Sequence, residues 1–171
     1  MKISTCAHGA FPDLKSLAHS GPRIAFVNGD SRPFAARGTH EVGNLLIVVA
    51  DDLSRDQIHP ASRIMLQAFG FVASVYKRLY LRHSAESGSP HVPMAVIDAH
   101  AILAFVERVS AGGSKELLVS CEYGKSRSVS LAGFLDQHFF MHSAVGKVPN
   151  PWVYGLLEWA SKGRRVPQAS R

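Results

Sequence analysis

Leu45-Leu46-Ile47-Val48-Val49 is an uninterrupted apolar run, not an alternation of apolar and polar residues. A strand with two apolar faces needs cover on both, and open parallel α/β sheets supply it. Three further segments, Lys2–Cys6, Arg23–Asn28 and Glu116–Ser120, read as buried strands beside this one, itself taken as Asn44–Ala50. Asn28-Gly29-Asp30 and Ala111-Gly112-Gly113-Ser114 are turn signals at strand ends.

Helical periodicity fills the intervals. Ile64, Ala68, Val72, Val75, Tyr76 and Leu79, with Arg63, Lys77 and Arg78 interleaved, predict a helix over 61–82. Ala95, Ala99, Ile102, Leu103 and Val106 predict another, with Pro93 in its first turn. Val129, Ala132, Phe134, Leu135 and Phe139 mark a third. Trp152, Leu156, Leu157 and Trp159 form a last core-facing stripe behind Asn150-Pro151. The segment from His83 to Pro90 reads as a loop too short to separate domains. The expected architecture is therefore one α/β domain over residues 1–163, with a basic, flexible tail at 164–171. Its centre is a mostly parallel sheet of four to five strands flanked by helices.

At 171 residues the chain has the length of one domain, and 46% apolar residues suffice for a core. No apolar run reaches the roughly 18 residues of a membrane span. The N-terminus meets His8 and Asp13 before any long apolar stretch and does not read as a signal peptide. Two distant cysteines without a secretion signal point to free thiols in a reducing cytoplasm. The net charge of +6 favours anionic partners. The basic residues are scattered except for Lys162, Arg164, Arg165 and Arg171, which read as a frayed end, so no nucleic-acid partner is expected.

The chemistry concentrates in Cys121-Glu122-Tyr123-Gly124-Lys125-Ser126-Arg127-Ser128, between a strand end and a helix start. A helix N-terminus leaves backbone N–H groups unpaired and carries partial positive charge, so it suits an anion. Gly124 lets residues 122–127 curl with their N–H groups inward, and Arg127 offers a planar fork to two phosphoryl oxygens. The same field lowers a thiol pKa, to as little as ~3.5–7.5 in such settings, which makes Cys121 a nucleophile at neutral pH. Attack on phosphorus would give a phosphocysteine that water hydrolyses. Ser128 stands where its hydroxyl could help the sulfur leave, while Glu122, Tyr123 and Ser126 act through their backbone with side chains at the rim. Gly124-Lys125-Ser126 imitates the end of a nucleotide-binding loop, but the glycine such a loop needs upstream is missing.

These eight residues resemble the signature loop of the protein tyrosine and dual-specificity phosphatase superfamily, particularly small bacterial members with loops of the form C-x-x-G-x-S-R-S. Asp51-Asp52-Leu53 after a buried strand and Asn150-Pro151 opening a late helix fit the resemblance. It implies a phosphate-binding loop between last strand and helix and a general acid, with Asp52 first, then Asp51 and Asp56. It further implies a phosphorylated protein as substrate, phosphotyrosine foremost and phosphoserine or phosphothreonine next, with a small phosphate ester as the other possibility. Two features depart from the pattern: Ser120 stands where histidine is usual, and the interval from Asp52 to Cys121 is long.

Other readings attach to single residues. Lys125 inside the loop resembles phosphoinositide and inositol phosphate phosphatases, and Ser120 leaves room for an inactive phosphate-binding module. A rhodanese-type sulfurtransferase also cradles an anion beside a cysteine, but Arg127-Ser128 fits a phosphatase better. Asp98, in a helical pattern with His100 and Glu107, reads as part of a solvated face, and Cys6 as a small buried hydrophobe. His138 and His142 share an i,i+4 spacing without a glutamate between them or a third ligand, so neither metal nor cofactor is expected. Asn150 suits either a turn before Pro151 or the positioning of a hydrolytic water.

Overall fold

The computed structural model describes residues 1–9, 12, 14–17, 20–30, 34, 37–68, 70–87, 92–138 and 148–162. The tail at 164–171, Phe139, His142 and loop residues 88–90 lie outside them. Strands β1 (Lys2–Ala7), β2 (Arg23–Val27), β3 (His40–Val42), β4 (Leu45–Val49) and β5 (Glu116–Cys121) form one mixed sheet in the order β1-β5-β2-β4-β3. Pairings β1–β5, β5–β2 and β2–β4 are parallel, and β3 runs antiparallel to β4.

The apolar run of β4 is buried throughout, as is β2, in accord with central strands covered on both faces. The pleat divides their side chains between two cores. Ile24, Phe26, Leu46, Val48, Leu117 and Val119 point into the larger one. There they meet α4 (Val96–Ala111), α5 (Arg127–His138) and α6 (Pro151–Ser161). Ala25, Val27, Leu45, Ile47 and Val49 face the other way, onto Leu17 of α1 (Leu14–Leu17) and Phe34. Trp152 is buried with its indole N–H on the Met94 carbonyl at 3.0 Å, and Trp159 packs partly buried on the same core, both as expected. No helix among the described residues is long and apolar enough to cross a membrane.

Several local expectations are corrected. The single helix over 61–82 is two, α2 (Pro60–Gln67) and α3 (Phe71–Ser87). Ala68 is extended and Gly70 adopts φ 64°, a conformation that cannot continue a right-handed helix. The stripe that defined that helix is largely exposed: Ile64, Val72, Val75 and Leu79 face outward, whereas Lys77 is only 4% exposed. His83 to Ser87 complete α3 and are not loop. Helix α4 starts at Val96, three residues after Pro93, where the Asp98 carboxylate accepts the Ala95 N–H at 2.7 Å. Strand β3 was not anticipated; a two-residue turn, Gly43-Asn44, with Gly43 at φ 59°, folds it onto β4.

Asp98 is also not on a solvated face. It is 1% exposed and pairs at 3.0 Å with the Lys77 ammonium, which also donates to the carbonyls of Val49 (2.6 Å) and Pro93 (2.7 Å). Thr39 donates to its other oxygen at 2.6 Å. All three donors of Lys77 and both oxygens of Asp98 are thus engaged, the condition under which a buried pair is tolerated. Asp98→Ala is expected to leave a buried ammonium uncompensated and to lower unfolding free energy by about 3–5 kcal/mol. Urea titration checks this, since a solvated Asp98 would change stability by only about 0.5 kcal/mol.

Candidate active site at the carboxyl edge of the sheet

Because β1, β2, β4 and β5 are parallel, their carboxyl ends open on one edge, where open α/β sheets carry their sites. Strand β5 ends at Cys121 and α5 begins at Arg127, so the intervening loop sits on that edge. The end of β1 holds it there: the N–H groups of His8 and Gly9 donate to the carbonyls of Cys121 (3.2 Å) and Glu122 (3.1 Å). Gly124 is required twice over. Its φ is 67°, and a Cβ would stand 2.8 Å from both Ala7 N and the Cys6 carbonyl carbon. The Gly124 N–H turns back to the Cys121 carbonyl at 3.2 Å, so not every N–H of 122–127 faces inward.

The Cys121 thiol is buried, 3.1 Å from the Ser128 hydroxyl. Burial pushes its pKa up. Hydrogen bonds from the Ser128 hydroxyl and from the N–H groups of Ser128 and Ser126, with the Arg127 charge, outweigh that and hold it below the ordinary 9.0. Arg127 is 2% exposed and reaches the sheet through a hydrogen bond to the Ala50 carbonyl at the end of β4. Its Nε is buried and meets no acceptor among the described residues. A buried donor on a permanent cation, left without a partner, invites an anion.

The three aspartates separate. Asp51 is 7% exposed and tied down, one oxygen accepting the Gly29 N–H (3.1 Å), the other the Val92 N–H (2.6 Å). Burial raises its pKa against those two bonds and the Arg127 charge. Asp52 is exposed, and its Oδ1 accepts from Ser126 Oγ and from Asn150 Nδ2, each at 2.7 Å. It is therefore the aspartate joined to the loop. Asp56 lies exposed in a turn over Arg55–Gln57.

Asn150 does two jobs. It caps α6 by accepting the Val153 N–H at 3.0 Å, and its amide orients Asp52. At the rim, Tyr123 is exposed as expected, and Lys125 is exposed as well. Ser126 and Glu122 use their side chains as well, Ser126 toward Asp52 and Glu122 toward Asn28, whose amide donates at 2.8 Å.

Sequence reasoning missed His8, Arg23 and Asn28. Ser120 is fully buried, with its hydroxyl 3.1 Å from His8 Nδ1 and accepting Arg23 Nε at 3.0 Å. Burial, then the charges of Arg23 and Arg127, lower the His8 pKa to about 4, against the opposing pull of Glu122. His8 stands just past a strand end, the same signal that selected Asp51 and Asp52. Arg23, a charge opening a buried strand, was a second such signal.

The remaining candidates stay outside. Cys6 is half-buried, not fully buried, and pairs in register with Ser120 while Ala7 pairs with Cys121. The pleat therefore turns Cys6 to the opposite face from Cys121, and both thiols are free. His138 stacks on Phe134 with ring centres 4.5 Å apart. No cluster of three possible metal ligands exists among the described residues. No family model, curated protein or solved structure matches this chain.

Two measurements probe the electrostatics. Alkylation of Cys121 by iodoacetamide should titrate with a midpoint below 9.0, and Ser128→Ala, which removes a bond to the thiolate, should move that midpoint up. His8 should titrate by NMR near pH 4. Between the ordinary 6.5 and 4 the unfolded chain binds a proton that folded His8 refuses, so stability falls as pH drops through that window. His8→Gln is expected to flatten that part of the profile, measured as urea midpoint against pH.

Proposed function

We propose that this chain hydrolyses phosphomonoesters through a phosphocysteine on Cys121, with aryl phosphates, phosphotyrosine foremost, as the substrate class. The observation that carries the reading is the buried Arg127 Nε, without an acceptor among the described residues, beside a thiol held below its ordinary pKa. A phosphoryl dianion supplies both the missing acceptor and the electrophile.

In this reading the loop from Glu122 to Ser126 forms the phosphate-binding cradle, with Gly124 allowing its curl and Arg127 gripping the equatorial oxygens. The Cys121 thiolate attacks phosphorus, the Sγ–P bond forms and the ester P–O bond breaks. The departing oxygen takes its proton from Asp52, which Ser126 and Asn150 hold in place. Water then attacks the phosphocysteine and gives its proton to the Asp52 carboxylate. The P–S bond breaks toward a thiolate that the Ser128 hydroxyl receives at 3.1 Å. Tyr123, 69% exposed at the rim, offers an aromatic face to the phenyl ring of such a substrate. Lys125, exposed beside it, favours a second reading in which a phosphorylated inositol is the substrate.

Hydrolysis of aryl phosphates tests this. Cys121→Ser is expected to abolish turnover, and survival of activity in that variant would sink the mechanism. Asp52→Asn should cost about 10²–10⁴-fold with phenyl phosphate, whose phenolate needs a proton. The same variant should lose far less with a nitrophenyl ester, whose leaving group departs unprotonated. An Asp51→Asn variant with the larger leaving-group dependence would reassign the acid. A wild-type protein without activity, yet stabilised by phosphate, would be the inactive binding module. A turnover faster on inositol phosphates, and slowed by Lys125→Ala on those alone, would select the second reading.

A further inference from the structure

A cavity of about 720 Å³ lies between the segment entering β3 and helices α3 and α4. Its lining includes Arg37, Arg78, Lys77, Asp98, Leu81 and Ile97, and no residue of the Cys121 loop. That volume lies within the roughly 300–1,000 Å³ range of sites for organic ligands.

Its charges do not cancel. Lys77 and Asp98 neutralise each other at the base, and their donors and acceptors are all engaged. Arg82 at the wall is paired with Glu86 at 2.8 Å. Arg37 and Arg78 are left, and neither guanidinium has an ion pair or hydrogen bond among the described residues. Two uncompensated planar forks over a concave, partly apolar surface fit one kind of ligand. Leu81, Ile97 and Ala101 supply contact for an apolar body, and the two arginines supply bidentate donors for phosphate.

We infer that this cavity is a second binding site, separate from the Cys121 loop, for an organic phosphate of nucleotide size. It is built independently of the proposed chemistry. Its base rests on backbone shared with the other site, however: Lys77 holds the Val49 and Pro93 carbonyls, while Ala50 receives Arg127 and Val92 holds Asp51.

The test is a fluorescence titration with trinitrophenyl-ATP, which combines an apolar ring with a polyphosphate. Wild type and Arg127→Ala should bind alike, whereas Arg37→Ala/Arg78→Ala should weaken binding by about tenfold or more. Ile97→Asp, a 38% exposed position at the same cavity, should weaken it in the same sense and serves if the double variant fails to fold. Thermal unfolding by circular dichroism establishes which variants are folded. Inorganic tripolyphosphate should compete poorly, because it lacks the apolar body. Absence of binding at millimolar probe, loss on Arg127→Ala with retention in the cavity variants, or equal affinity for tripolyphosphate would each overturn the proposal.

Discussion

Parallel pairing of β1, β5, β2 and β4 is the constraint on which everything else in this molecule depends. It brings four carboxyl-terminal strand ends to one edge, so that His8, Asn28, Asp51, Asp52 and Cys121 converge from positions scattered over the chain. Helices must then cover both faces of strands apolar on both sides. Arg127 fastens the arrangement across the sheet, linking the start of α5 to the end of β4 through the Ala50 carbonyl. A buried guanidinium in that place needs acceptors on all its donors. Among the described residues the fold provides one for Nη1 and none for Nε.

The same edge separates two neighbouring aspartates into different roles. Asp51 turns inward and accepts the Gly29 and Val92 N–H groups on its two oxygens, which ties those two residues to the end of β4. Asp52 turns outward and is held through one oxygen only, leaving the other toward solvent. A tight turn centred on Asp52, closed by the Leu53 N–H on the Asp51 carbonyl at 2.9 Å, takes the chain off the end of β4 between the two side chains. The structural bonds of Asp51 and the proton transfer proposed for Asp52 therefore fall on side chains with separate partners.

Much of this was legible in the sequence. The positions of the four long strands were readable from their residues, although β1, read as buried, is exposed or half-buried along its whole length. The Cys121 loop falls between β5 and α5, where its residues put it. What failed did so for identifiable reasons. Ile64, read in one stripe with Val72, Val75 and Leu79, lies exposed on the separate helix α2. Val72, Val75 and Leu79 have helical spacing but face solvent, because burial is decided by which side of α3 meets the rest of the fold. That side carries Lys77, whose buried state is possible only with Asp98 opposite, a partner on another helix that periodicity cannot reveal. The β3–β4 hairpin was passed over although Gly43-Asn44 is a two-residue turn signal, since β3 has only three residues. Asn150 carried two readings, and the structure joins its capping role to the orientation of Asp52.

Ser120 shows how a departure in sequence is absorbed in space. The resembling loops usually place a histidine before the nucleophile; here a hydroxyl occupies that position, and an imidazole arrives from a residue 112 positions away. The small side chain at 120 leaves room for both His8 and Arg23 to reach one buried oxygen. A histidine there would collide with that convergence and set a third basic group beside Arg23 and Arg127. Burial, and then the charges of Arg23 and Arg127, lower the pKa of His8 to about 4, so the imidazole reaching Ser120 is neutral where a free histidine would be gaining its proton. Against the upward push of burial, the Cys121 thiol is held below its ordinary pKa by the Ser128 hydroxyl, the N–H groups of Ser128 and Ser126 and the Arg127 charge, while the His8 imidazole links the end of β1 to Ser120 on β5.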